Sequence, residues 1–389
     1  MPPGRRFLLS LGLALLLLAG PPIHLTLAQD PVDPWLLRLP CRDEATFSRL
    51  PGPGARVLLW WDGQVYILAD ATQRARLATE GLPGATLDRQ PSVGAYYVVW
   101  AFDDEAEALR WQYGTLVALG DGFYLVGLPP GAQLDIDEGP RYARRLPWSM
   151  VAPRPPSPAL LSPPPPPPAL AEIVAAVSED RLTRDVAALQ DDDDVPGPDA
   201  LRSRHTRLPG LETEGAYIAR QLADAGLEVS YFPFTYDGTV HNIIGTLPGL
   251  RPESEGFFIV CAHYDSIAAV SPGWRTHWRE MPAPGADDNA SGTAAVLEAA
   301  RVLGRSTPLY GVRFVLFAGE EQGAWGSGAY AEALSASGAN VLGVINLDMI
   351  AYDSNHEGAL EVHTGHTTAS KILGRALMRN MERYAPSLE

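Results

Sequence analysis

Thiols are scarce in this chain: Cys41 and Cys261 are the only cysteines in 389 residues. Two cysteines cannot build a disulfide framework or a four-thiolate zinc module, and both are expected to stay free. Lysine is scarcer still. Lys371 stands alone among 30 basic side chains, a bias that reads as genome composition and carries no mechanism. Positive charge also falls short of negative charge, with 46 Asp plus Glu giving a formal net charge of -16. Such a field repels nucleic-acid phosphates and anionic membrane surfaces, so neither is expected as a partner.

Long apolar runs are equally rare, and the one that exists lies at the start. Arg5 and Arg6 precede an apolar stretch from Phe7 to Ala19, and small residues close it at Ala28. That order is the architecture of an export signal over residues 1–28, which predicts a secreted or periplasmic protein. Gly20, Pro21, Pro22 and His24 interrupt the stretch before it reaches the roughly 20 apolar residues that spanning a bilayer needs. What remains has globular composition, 46% hydrophobic and 20% charged, and the 36 prolines must therefore be localised.

Residues 29–150 read as a small β-rich accessory domain. Arg56 to Asp70 forms two apolar strands around Asp62-Gly63, a hairpin signal. Leu116 to Leu128 repeats the scheme around Asp121-Gly122, which suggests an internal repeat of two related β units. No catalytic cluster is visible there, its acidic stretch Asp103 to Glu107 reads as solvated surface, and no partner for it is legible. Six consecutive prolines, Pro163 to Pro168, mark residues 151–170 as a stiff linker.

From 171 to 389 the pattern changes to α/β: a mostly parallel mixed sheet flanked by helices. Phe257–Ala262, Val312–Ala318 and Val341–Leu347 read as buried strands, and Thr293–Leu303 and Gly328–Leu334 as helices. Asp191 to Asp194 reads as a charged helix end. The strands run into His263-Tyr264-Asp265, Glu320-Glu321 and Asp348, and the loop GADDNASG at 285–292 precedes a helix. Ligand sites in open α/β sheets lie at the carboxyl ends of strands. Carboxylates converging there repel one another unless cations hold them, and histidine with carboxylates and no thiolate suits zinc or a similar divalent ion.

His263-Tyr264-Asp265-Ser266, GADDNASG, Glu320-Glu321-Gln322-Gly323 and Asn346-Leu347-Asp348-Met349 resemble, in that order, the motifs of the M28 family of di-zinc peptidases. Asn242-Ile243-Ile244-Gly245 and Trp325-Gly326-Ser327 are similar to the family's supporting text, and the resemblance runs from about Ala171 onward. It implies a zinc exopeptidase-like fold and, as activity, an aminopeptidase acting on a peptide or protein with a free N-terminus. It makes His263 and Asp348 ligands of one zinc, Glu321 a ligand of a second, Asp288 the bridge and Glu320 the general base. Asp287 stays open as the bridging alternative. Asp265 would orient the His263 ring.

The family's far-downstream metal histidine has no counterpart among His356, His363 and His366, and Glu361-Val362-His363-Thr364-Gly365 resembles the family's next strand. The expectation is a C-terminally shortened chain whose second zinc site lacks a ligand. Two other readings stay open: a glutaminyl-cyclase-like transferase with one zinc, and a non-catalytic binding module on the same scaffold. Asn289-Ala290-Ser291 matches a glycosylation sequon inside the metal loop and reads as chance. Trp274, His277 and Trp278 either border a substrate pocket or pack as a loop.

Overall fold

The computed structural model describes residues 34–50, 55–82, 84–89, 96–100, 115–120, 122–128, 134, 142–146, 169–190, 202–353, 360–365 and 367–384. The expected export signal, Asp103–Glu107, Asp121, Pro163–Pro168, Asp191–Asp194, His356 and His366 lie outside them.

The chain opens with β1 (Trp35–Pro40), α1 (Glu44–Arg49), β2 (Ala55–Trp61), β3 (Gln64–Ala69), α2 (Ala71–Thr79) and β4 (Ala85–Asp88). The carboxylates of Asp43 and Asp70 cap the two helices by accepting the amides of Thr46 and Gln73. Asp62 and Gly63 turn the β2–β3 hairpin with φ of 42° and 66°, the paired positive angles of the tight turn that matches strand twist. The four strands run in the order β2-β3-β1-β4. Then come β5 (Tyr96–Trp100), β6 (Thr115–Gly120), β7 (Phe123–Gly127) and β8 (Tyr142–Arg145), in the order β6-β7-β5-β8. The two sheets thus share one strand permutation.

Strand β5 reads Tyr-Tyr-Val-Val-Trp without polar alternation, and its burial explains why. Tyr96, Val98 and Leu125 face the first sheet, packing with Leu36, Leu58, Tyr66 and Leu68. Tyr97, Val99 and Val126 point the other way, into a core that also holds Phe234, Tyr236 and Trp325. The second sheet is therefore the middle layer between the first sheet and the α/β part.

That part comprises α3 (Ala169–Ala175), α4 (Glu179–Gln190), α5 (Gly210–Asp224), β9 (Glu228–Thr235), β10 (Thr239–Leu247) and β11 (Phe257–His263). It continues with the single turn α6 (Trp274–His277), α7 (Gly292–Leu303), β12 (Gly311–Phe317), α8 (Trp325–Ala336), β13 (Val341–Asn346) and α9 (Thr368–Tyr384). Strand order is β13-β11-β12-β10-β9. Only β11 with β12 and β11 with β13 are parallel, while β10 runs antiparallel to both β12 and β9. The sheet is mixed in equal parts, a correction to the mostly parallel expectation. Its cause is local, because the short connection at Tyr236–Gly238 can only return the chain antiparallel. Residues 361–365 form no strand, a second correction. They pack on α9, where Thr364 and Val362 lie against Gly374. No helix among the described residues is long and apolar enough to cross a membrane.

Helices α4 and α7 are tied by buried charge. Glu298 accepts from Arg181 Nε at 2.8 Å and from the Ser178 amide at 2.8 Å, and Asp185 accepts from Arg301 Nη2 at 3.0 Å and from the Tyr217 hydroxyl at 2.6 Å. Burial acts to raise the Glu298 carboxyl, but the hydrogen bonds from Arg181 and Ser178 outweigh it and hold the group below its ordinary value. A carboxylate lowered in the folded state stabilises it above the unfolded-chain pKa, and that contribution is lost as pH falls through the folded value. Glu298→Gln should therefore lower the unfolding free energy by about 3 kcal/mol at neutral pH. Denaturant titrations should show the gap to wild type closing on acidification below about pH 4.

Candidate metal centre

Strands β11 and β13 are neighbours, and both deliver functional residues to the same end of the sheet. His263 is the last residue of β11 and is 3% exposed. Its Nε2 lies 3.1 Å from Asp288 Oδ1 and 3.5 Å from Asp348 Oδ1. One donor atom from each of the three lies within 4.8 Å of the others, close enough to share an ion. Burial opposes protonation of the His263 ring, yet hydrogen-bonding carboxylates of Asp265, Asp288 and Asp348 outweigh it and carry the pKa well above its ordinary value. A site that draws a proton onto imidazole so strongly is one in which a cation would take that proton's place.

The loop before α7 resolves which of two adjacent aspartates faces the histidine. Asp287 Oδ1 accepts the amides of Ala351 at 2.8 Å and Tyr352 at 3.1 Å, so it braces the stretch after Asp348. Asp288 turns toward His263 across a cis peptide bond to Asn289. Asn289 is fully buried, donating to the Leu347 carbonyl at 3.0 Å and accepting the Gly292 amide at 2.9 Å. It ties the two aspartate-bearing loops together, and a group so enclosed leaves no room for a glycan.

Glu320 and Glu321 follow β12. Their amides each donate to Asp265, at 3.1 Å to Oδ1 and 3.1 Å to Oδ2, so one fully buried carboxylate fixes both glutamates through their backbone. The Asp265 backbone carbonyl lies 3.2 Å from His263 Nδ1, nearer than its carboxylate at 3.5 Å. The expected orienting of the ring thus comes chiefly from the main chain, because the carboxylate is engaged by two amides and by Thr206 Oγ1 at 3.3 Å. Burial lifts the Glu320 carboxyl to about 7, with the attraction of His263 working against it and Asp265, Asp348 and Asp288 adding to it. Burial and then the charge of Asp288 push Glu321 well above the carboxylate range. Glu321 is not among the three residues whose donor atoms cluster, and His363 is exposed and paired with Glu361 at 2.8 Å.

Buried His263 Nε2 and Glu321 Oε1 lack hydrogen-bond partners of good geometry. Orphaned polar atoms facing a carboxylate cluster, with nitrogen and oxygen donors only, fit a borderline divalent cation.

Two features were not legible in the sequence. Arg204 is buried; its guanidinium donates to the carbonyls of Tyr264 at 2.7 Å, Pro284 at 2.6 Å, Gly285 at 2.9 Å and Leu189 at 2.5 Å. It joins the end of β11 to the start of the aspartate loop, and burial lowers its pKa despite surrounding acids. Nothing in its local sequence signals that task. Trp274 and Trp278 are buried with Ala283, and His205 stacks on Trp278 with centroids 4.1 Å apart, so this segment is a packed loop, while His277 is exposed.

A mixed sheet presenting histidine and carboxylates at its strand ends, with a metal-competent cluster, defines the class of metal-binding α/β domain. The family model of Peptidase family M28 matches residues 242–387. A probable zinc metalloprotease of Pyricularia oryzae is 34% identical over 125 residues, 32% of this chain and 24% of the relative. Leucine aminopeptidase 1 of Trichophyton rubrum is 41% identical over 125 residues, 31% of this chain and 31% of the relative. The matches span about a quarter to a third of these relatives' length. In fold, the chain is similar to LapB from Legionella pneumophila, at a TM-score of 0.50 and 14% identity, over 75% of this chain and 79% of that one.

Two outcomes follow. A divalent cation should raise the thermal midpoint of the wild type and leave Asp288→Ala unmoved, read by differential scanning fluorimetry after chelation and refilling. Asp265→Asn keeps the shape but offers one acceptor oxygen where two amides need one each. It should weaken metal binding roughly ten- to a hundredfold in a competitive chelator titration.

Proposed function

We propose that this chain is a zinc-dependent aminopeptidase that hydrolyses the N-terminal peptide bond of a peptide or protein. The observation that carries the reading is the convergence of His263, Asp288 and Asp348 beside a Glu320 whose carboxyl is lifted to about 7. Similarity to proteins named zinc metalloprotease and leucine aminopeptidase supports the choice of metal and substrate.

His263, Asp288 and Asp348 would hold zinc. Glu321, with its unbonded buried Oε1 and its repulsion from Asp288, would help to hold a second ion. When bound, zinc acidifies a water molecule and polarises the scissile carbonyl. Glu320 then acts as the proton carrier. Its carboxylate takes a proton from the attacking water as the carbon–oxygen bond forms, and gives it to the departing amine as the carbon–nitrogen bond breaks. Burial, the largest influence on this carboxyl, raises its proton affinity, the direction that lets one group both take a proton and give it back. Asp265 holds the Glu320 and Glu321 amides in place. The proposal includes export directed by residues 1–28, which puts the mature N-terminus near Gln29.

The test is release of the chromophore from a leucyl-anilide by the purified chain, with chelator and after zinc is restored, alongside elemental analysis. Glu320→Gln should keep its zinc while turnover falls by a factor of about 10² or more. Normal turnover in Glu320→Gln would remove its role. Cyclisation of an N-terminal glutamine without anilide release would place the chain with transferases instead.

A further inference from the structure

The loop that carries both glutamates is held on two sides, and only one of them belongs to the α/β domain. Asp265 grips the Glu320 and Glu321 amides from within. On the far side, edge strand β8 of the second N-terminal sheet meets the same loop. The Arg145 amide donates to the Gly323 carbonyl at 2.9 Å. The Arg145 guanidinium carbon sits 4.4 Å from the centre of the Trp325 indole, whose Nε1 in turn donates to the Gln322 carbonyl at 3.0 Å. Gly323 has φ of 117°, and a Cβ there would stand 3.1 Å from both Ala143 O and Arg145 N. Neither the angle nor the approach suits a side chain. The next residue, Ala324, is itself left-handed at φ 58°. An alanine keeps that conformation only where its surroundings over-determine it.

The contact is also anchored by packing. Tyr97, Val99, Val126 and Ala143 share one core with Tyr236 and Trp325, whose rings lie 5.2 Å apart. Strand β8 pairs with β5 along one edge, so without Gly323 its other edge would present an unsatisfied amide.

We propose that the second N-terminal sheet acts in cis to position the catalytic loop, with Arg145 on β8 as a positioning residue that sets Glu320 and Glu321 through Gly323 and Trp325. Its catalytic consequence rests on the peptidase reading above; its structural core does not.

Full-length Arg145→Ala and Arg145→Lys test it. Losing one cation–π contact is expected to lower kcat on the leucyl-anilide by about tenfold, with KM within about twofold and zinc content unchanged. Arg145→Lys should recover part of the loss, since it keeps the charge over the indole but not the planar stack. Hydrogen exchange supplies a readout independent of activity. Amides of 320–324 should exchange about tenfold faster in Arg145→Ala, with β11 and β12 unchanged. If wild type releases no anilide while exchange changes as stated, the peptidase reading fails and the positioning contact stands. Unchanged exchange at 320–324, acceleration spread evenly over the sheet, unchanged kcat or a raised kcat would each overturn the proposal.

Discussion

Like charges at close range are the constraint under which this domain is built. Asp265, Asp288, Glu320, Glu321 and Asp348 bring five carboxylates to one end of a sheet with a single buried histidine among them. Each must be answered by donors or by a cation. Asp265 is answered by backbone amides, and Asp287, their neighbour in sequence, by the amides of Ala351 and Tyr352. Burial, reinforced by Asp265, Asp348 and Asp288, raises Glu320, burial and then Asp288 raise Glu321, and Asp265, Asp288 and Asp348 together draw a proton onto His263. The separation divides the carboxylates in two: those occupied by amides serve as scaffolding, and the others are left without such donors and free to meet a cation.

Rigidity at the site comes from bonds between loops more than from any one strand. Asn289 links the aspartate loop to Leu347, Arg204 links the end of β11 to Gly285, and Thr293 Oγ1 donates to the His263 carbonyl at 2.9 Å. Each joins segments far apart in the chain. Beyond them the second N-terminal sheet adds a further layer, with one face on the first sheet and the other on the core around Trp325. The N-terminal segments are thus continuous with the α/β part through packing, not merely tethered to it.

β11 and β12 could be read from sequence because central strands leave nearly unbroken apolar runs, whereas β13, equally apolar, lies at an edge of the described sheet and is half-buried rather than buried as expected; the ends of all three runs pointed at the residues that cluster. Sheet direction was less accessible. A hydrophobic run looks the same whether its neighbour is parallel or antiparallel, and the antiparallel pairing of β10 with β9 and β12 is what departs from the mostly parallel expectation. Glu361–Gly365 alternates like a strand but finds no ladder, and its side chains settle on α9. The unbroken Tyr96–Trp100 stretch did carry a trace of the middle layer, in its lack of any polar face.

What the sequence determined by itself was an inventory with an order: apolar strands, each handing over to histidine or acid, and an N-terminal half in which no cluster of such groups is visible. Composition and local periodicity are one-dimensional, and that information survives in them. The division of labour among neighbours was decided only by tertiary structure. Asp287 and Asp288 are the same residue type one position apart, and only the folded backbone, with distant amides reaching one and His263 reaching the other, makes the first a brace and the second a carboxylate facing the histidine. The grip of β8 on the glutamate loop belongs to the same category, because a contact between Arg145 and Gly323 spans 178 positions and leaves no periodic mark on either segment.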